Sequence, residues 1–459
     1  MRTLILAFDP GREDFDASLV REEYVGSGWA CILPVLIAGL YFHAPSFPLW
    51  MLIAILGATA FLAKKNMQMR AVDWSVLLIA ALEFGILFSS QYGANSIRTL
   101  TLITLSVQTF LVVRLTIRRP IQIACLGAIL GLSGASLGLS GMHQLIAKAE
   151  QLNDAGFSNL HTFRSRLIAP PAPWIVGEWF TVVLLALPFA CAVPVYFWRR
   201  EKIWSVITVL SSLVVTATLV LSMSRAVFWS TVVFYSSVCV LPVVSRVVSL
   251  RAGSTLLARV LGSLVLIFLC ASAVYPGLLK TYAGQHASQT RSTQGRVEIW
   301  NRSLELVRAH PLMGVGSANS ALMLLSNADE EETTGFASRT FSLPVQIVVE
   351  KGIIGLVLYA VFLGLVAREF VQTMRHSPPI RGPHERGSEP NHHVTKHLRT
   401  QCMAEIKDGL AYKAMVCCFA AGLIAVLFRE LTYSSLIEHN LTLTLVAVLA
   451  AMICRPQVT

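Results

Sequence analysis

Two arginines stand out in an otherwise apolar chain. Arg225 follows "LVLSMS" and precedes "AVFWSTVVF", so it closes one membrane-length run and opens the next. Arg296 lies in "GRVEIWNRSLELVRAHPLMGVG" (295–316), inside the longest polar excursion between apolar runs. A guanidinium is planar, permanently charged and forked to match phosphate oxygens. Two of them on one side of a bilayer suggest binding of a lipid-linked anion. Arg225 at an outer boundary also runs against the positive-inside bias. That weighs for an anion contact and against simple snorkelling of the side chain to water.

The residues around Arg296 predict a helix from 296 to 309. Val297, Trp300, Leu304 and Val307 fall on one face at helical spacing, and that face belongs on the membrane or on the bundle. Gly295 reads as the N-cap and Pro311 as the stop. Arg296 then sits in a first turn that prefers negative partners. A bound phosphate on the exposed N–H groups would resolve the conflict, and a solvated arginine is the alternative. Gly314 and Gly316 follow in a tight connection. No strand precedes this G-x-G, which excludes a dinucleotide site. "DEEE" (329–332) reads as a solvated loop face, with a divalent cation as the alternative. Glu350 and Lys351 are adjacent at the start of an apolar run and read as headgroup residues pointing to different helix sides.

The elements that must position these residues are membrane spans. Of 459 residues, 54% are hydrophobic and 14% charged, where a soluble protein carries about a quarter charged. Apolar runs near span length recur throughout, giving an all-α polytopic bundle and excluding an alternating-strand barrel. Twelve spans are expected: 28–43, 47–63, 74–92, 97–113, 121–142, 174–197, 203–222, 226–244, 255–275, 344–367, 410–428 and 435–454. Lys and Arg collect in alternate loops, which predicts cytoplasmic N- and C-termini. The same bias accounts for the net charge of +11 without nucleic acid. Residues 1–27 read as a cytoplasmic tail, with too short an apolar stretch for a signal peptide.

Three connections exceed what topology requires. The loop 141–173, with "RSRLIAPPAPW" and its Arg164 and Arg166, is expected outside. So is 276–343. The stretch 368–409, rich in Pro, His and charge, is expected as a flexible cytoplasmic linker. Nine cysteines without a CxxC point to neither a structural disulfide nor a zinc site.

"SMSRAVFWS", "GRVEIWNRSLELVRAHPLMGVGSANS" and "LPVQIVVEKGIIGLVL" together resemble the O-antigen ligase and polymerase superfamily of bacterial envelope proteins. "RSRLIAPPAPWIVGEWFTVVLLALPFA" is similar to that family's proline-containing outer loop and next span. The resemblance covers roughly 120–365. It implies transfer of a glycan from undecaprenyl pyrophosphate to an acceptor hydroxyl of a polysaccharide or lipid, at the outer face of the inner membrane and without a cofactor. It implies catalytic roles for Arg225 and Arg296, with Arg164, Arg166, Trp300, Gly314 and Gly316 near substrate. Family ligases carry a His-Asn pair where alignment on Gly352 puts Phe341 and Ser342. Substitute bases are His286, Glu298 or His439, and Glu298 and His439 are carried forward. A polymerase-like member is favoured over a ligase. A transporter or flippase, or a non-catalytic export subunit, remains the alternative. The near absence of charge inside the expected spans weighs against the transporter.

Overall fold

A computed structural model of the chain describes residues 69–90, 93–117, 120–154, 176–197, 202–222, 225–245, 286–326, 342–375, 392–431 and 440–454, with 262, 265 and 269. Every regular element among them is a helix. These are α1 (Ala71–Ser89), α2 (Gly93–Thr116), α3 (Pro120–Asp154), α4 (Val176–Phe197), α5 (Lys202–Leu221), α6 (Arg225–Val244), α7 (His286–Ala309), α8 (Ser320–Ser326), α9 (Leu343–Arg375), α10 (His392–Glu430) and α11 (Asn440–Ile453).

Seven of these, α1, α3, α4, α5, α6, α9 and α10, are long and apolar enough to cross a membrane. α2 carries a shorter apolar segment, Thr99–Arg114. The expected spans 28–43 and 47–63 lie outside the described residues, and so does nearly all of 255–275. Span 435–454 appears as the shorter α11.

Helices interlock where small residues let backbones approach, the packing that holds spans together when water supplies no drive between them. Along α3, Gly127, Gly131 and Gly134 face Val193, Ala190 and Ala186 of α4, and Gly138 faces Thr218 of α5. Ser211 of α5 donates to the Gly131 carbonyl at 2.9 Å. Gly422 of α10 receives the ring of Pro188, which sits inside α4.

The bundle has two chemically distinct ends. At one, Asp73 of α1 pairs with Arg114 of α2, both buried. Arg114 Nε also donates to the Cys454 carbonyl just past α11, at 3.0 Å. Arg70 pairs with Glu369 of α9 at 2.7 Å. Lys413 of α10 donates to the Met374 carbonyl at 2.9 Å. Leu241, late in α6, packs against Met374, Val416 and Cys417. α6 and α10 therefore run antiparallel, and the Arg225 end of α6 shares the other end of the bundle with Arg429 of α10. That same end holds Ser90, the start of α2 and the start of α9.

Two expected loops are partly helical. α3 runs on to Asp154, into the stretch 141–173. The expected linker 368–409 is helical at both ends, in α9 to Arg375 and in α10 from His392. Its prolines, Pro378, Pro379, Pro383 and Pro390, are confined to the middle, while the flanks carry good helix formers.

Candidate functional site

The chain breaks its own span to build this end. α9 is interrupted at Gly352, with φ 65° and ψ −167°. Such a break orphans carbonyls before it and N–H groups after it, which cannot be left bare in a membrane. The segment 311–316 supplies both sets of partners. Val315 N–H donates to the Val349 carbonyl at 2.9 Å and Gly316 N–H to the Glu350 carbonyl at 3.1 Å. Beyond the break, Ile353 N–H donates to the Pro311 carbonyl at 2.9 Å and Ile354 N–H to the Leu312 carbonyl at 3.4 Å. "PLMGVG" is thus a splint laid across a broken helix. The fit demands glycine on both sides. A Cβ on Gly352 would collide with the Leu312 carbonyl, and one on Gly314, at φ 68°, with the Glu350–Lys351 backbone.

Behind the splint lies a buried polar network. Lys351 Nζ donates to the carboxylate of Glu83 on α1 and to Ser317 Oγ, the latter at 2.9 Å. Ser317 Oγ donates to the other oxygen of Glu83 at 2.6 Å. Ser96 Oγ reaches the Ser317 carbonyl at 3.2 Å and Ser90 Oγ at 2.7 Å. Asn319 Nδ2 donates to Ser90 Oγ at 2.8 Å. Glu350 accepts from Ser320 Oγ at 2.6 Å and from Gln346 Nε2 at 3.2 Å. Glu83, Ser96, Ser317, Asn319, Ser320, Gln346, Glu350 and Lys351 are all buried. Ala318, in their midst, has φ 60°, a left-handed backbone that non-glycine residues seldom adopt. Glu350 and Lys351 are therefore not headgroup residues, and the spans are not nearly free of charge. Both side chains are turned inward, where Glu83 and Ser317 meet Lys351, and Ser320 and Gln346 meet Glu350, offsetting the cost of burying them.

The Arg296 helix differs from its sequence reading. α7 starts at His286, so Gly295 is interior and Arg296 lies well past the first turn. The stretch 286–294 contains no proline, and one glycine costs a helix only about 1 kcal/mol. The N-cap at Gly295 and the phosphate seat on first-turn amides fall with this. The apolar face also divides. Ile299 and Leu306 pack on Val315, Leu324 and Val349, with Val307 half-buried beside them. Val297, Trp300 and Leu304 remain 48%, 37% and 54% exposed. Two apolar stripes exist on this helix, and packing against the splint selected the one through Ile299.

The remaining candidates distribute as follows. Arg225 opens α6 at the splint end of the bundle. The side chains of Arg225, Arg296 and His286 lie outside the described residues, as do Arg164, Arg166, "DEEE", Phe341 and His439 in full. Glu298 is exposed and paired with Arg302 at 2.6 Å. Ser342 is buried, and its carbonyl accepts from Gln346 N–H at 2.9 Å. Gly314 N–H is taken by the His310 carbonyl at 3.1 Å and Gly316 N–H by Glu350. Neither amide is left for a substrate oxygen, so these glycines shape the splint. Among the described residues no group of three or more His, Cys, Asp or Glu could hold a metal ion.

Sequence reasoning missed Glu83, and with it the ion-pair partner of Lys351, and the buried Arg429–Glu430 pair at the end of α10. A signal was present: Glu83 is a lone acid in "LLIAALEFGILF", and an intramembrane acid requires a partner.

No curated protein matches the sequence. Residues 181–360, from α4 through the splint and the break in α9, match the family model described as "O-Antigen ligase", a match that supports the O-antigen ligase superfamily for this chain.

Proposed function

We propose that this membrane protein builds envelope polysaccharide by transferring a glycan from undecaprenyl pyrophosphate to an acceptor hydroxyl, at the outer face of the bacterial inner membrane. The observation that carries the reading is that, within the family region, the Arg225 start of α6 and the splinted α7–α9 unit share one end of the bundle. In this reading both termini face the cytoplasm, and the splint end faces out.

The acceptor oxygen forms a bond to the anomeric carbon while the bond from that carbon to the pyrophosphate oxygen breaks. The bonding electrons leave with the pyrophosphate, and the hydroxyl proton goes to a base. Arg225 and Arg296 stabilise the charge that grows on the leaving group. Glu298 or His439 takes the proton. Glu298 is solvated and ion-paired, which suits a base that opens to bulk water better than one held in a dry pocket. The donor arrives already activated, so no nucleotide or metal is called for. Because Phe341 and Ser342 replace the ligase His-Asn pair, polymerisation of repeat units is the preferred form of the reaction.

The broken span with buried charges is the observation that speaks for a transporter. Here, however, the backbone groups at the break are closed by the splint, and Lys351 and Glu83 neutralise each other. That arrangement supports a built platform over an ion pathway.

The test is incorporation of labelled undecaprenyl-pyrophosphate oligosaccharide into longer chains by proteoliposomes. Wild type should lengthen the glycan. Arg225→Ala and Arg296→Ala should each lose about a hundredfold in rate, the usual cost of one such charge contact. Normal lengthening by both variants refutes the assignment.

A further inference from the structure

We propose that Glu83 and Lys351 are positioning residues, a charge pair that holds the splint in register and through it sets the Arg296 helix. The functional unit then extends to α1, well before the family region that begins at residue 181. The argument follows contacts. Glu83 on α1 takes Lys351 from the broken span and Ser317 from the loop, so one carboxylate ties together three segments distant in sequence. Lys351 precedes the break itself, and Ser317 directly follows the splint. The splint residue Val315 and the span residue Val349 form the surface on which Ile299 and Leu306 of α7 rest. Displacement of the splint therefore displaces α7 and the position of Arg296. Neither charge can be buried alone, because a lone buried charge keeps its desolvation cost and loses the attraction that offset it. Loss of one partner should drive the other toward water and pull the splint from α1.

Two readouts separate this inference from the proposed reaction, on which its catalytic half rests. The first needs no activity. The Met313 side chain lies 3.8 Å from where a Cβ at Gly85 would stand. With the nine native cysteines replaced by serine, Gly85→Cys with Met313→Cys should therefore cross-link through a short bifunctional thiol-alkylating reagent in native membranes, unlike either single variant. Adding Glu83→Gln or Lys351→Met should cut that cross-linking at least about fivefold at matched membrane-inserted protein. The double change Glu83→Gln with Lys351→Met leaves no unpaired charge and should recover most of it.

The second readout is kcat and KM for glycan lengthening in the native background. A positioning pair predicts that each single change lowers kcat per inserted molecule at least about tenfold, again with partial recovery in the double. Loss of inserted protein with normal kcat in what remains would reduce the pair to a folding element and overturn the proposal. Unchanged cross-linking in the single variants, or purely additive losses, would do the same. If wild type lengthens no glycan while cross-linking follows the charges as described, the reaction is wrong and the positioning role stands.

Discussion

Lys351, on the broken span α9, donates to the carboxylate of Glu83 on α1, and both side chains are buried. The contact joins positions 268 apart in sequence and closes the back of the splint. Its counterpart at the opposite end of the bundle is the buried pair of Asp73 and Arg114. The two pairs anchor the two ends of α1, one beside the candidate site and one away from it, and they invite different tests.

The Asp73–Arg114 pair should matter for stability and not for chemistry. Arg114→Leu strands Asp73 in the bundle and should cost about 3–5 kcal/mol. Asp73→Leu with Arg114→Leu together should cost clearly less, because no uncompensated charge remains. Thermal unfolding in detergent checks this, and equal losses in the single and double variants would contradict it.

Gly352→Ala should destabilise the protein. The substitution forces a left-handed φ on a residue with a Cβ and drives that Cβ into the Leu312 carbonyl. Backbone strain alone is worth about 1–3 kcal/mol, and the collision adds to it. Gly364 has open space where a Cβ would go, so Gly364→Ala is the matched control and should melt as wild type does.

The exposed stripe of α7 should rest in the membrane interface. Val297, Trp300 and Leu304 each keep a substantial part of their surface exposed, Trp300 the least, and an amphipathic helix buries such a stripe among lipid headgroups. In a variant keeping Trp300 alone of the nine tryptophans, lipids brominated near the headgroup should quench its fluorescence strongly. Quenching no greater than that of free tryptophan in solution would place the stripe in water.

Topology follows from the loop charges. Reporter fusions at Glu385 and at Asn327 should report opposite sides of the membrane, cytoplasmic and external respectively. Equal behaviour at the two positions would refute the proposed orientation.

The choice of base is open to direct test. If Glu298 accepts the proton, Glu298→Gln should lower glycan lengthening steeply while Arg302→Gln, which removes the ion pair but keeps the carboxylate, should not. If His439 serves, His439→Ala should show the loss instead, and general-base removal typically costs 10²–10⁴-fold, roughly.

The sequence by itself determined the class and most of the described spans. Hydropathy is a local property, summed over residues that are neighbours along the chain. It located α1, α3, α4, α5, α6, α9 and the apolar part of α10 within a few residues at most boundaries. The "HPLMGVG" signature was legible as a helix stop at Pro311 followed by a tight connection at Gly314 and Gly316, because proline and glycine at such spacing forbid a continued helix. What the signature does there was decided only in three dimensions. A helix break is closed by whichever backbone groups the fold brings to it, and the partners at 311–316 come from a separate segment. The same holds for Glu83: its charge is visible in the sequence, but the identity of its partner depends on how α1 packs against α9. Tertiary packing also chose which stripe of α7 to bury, since both were apolar and only one faced the splint.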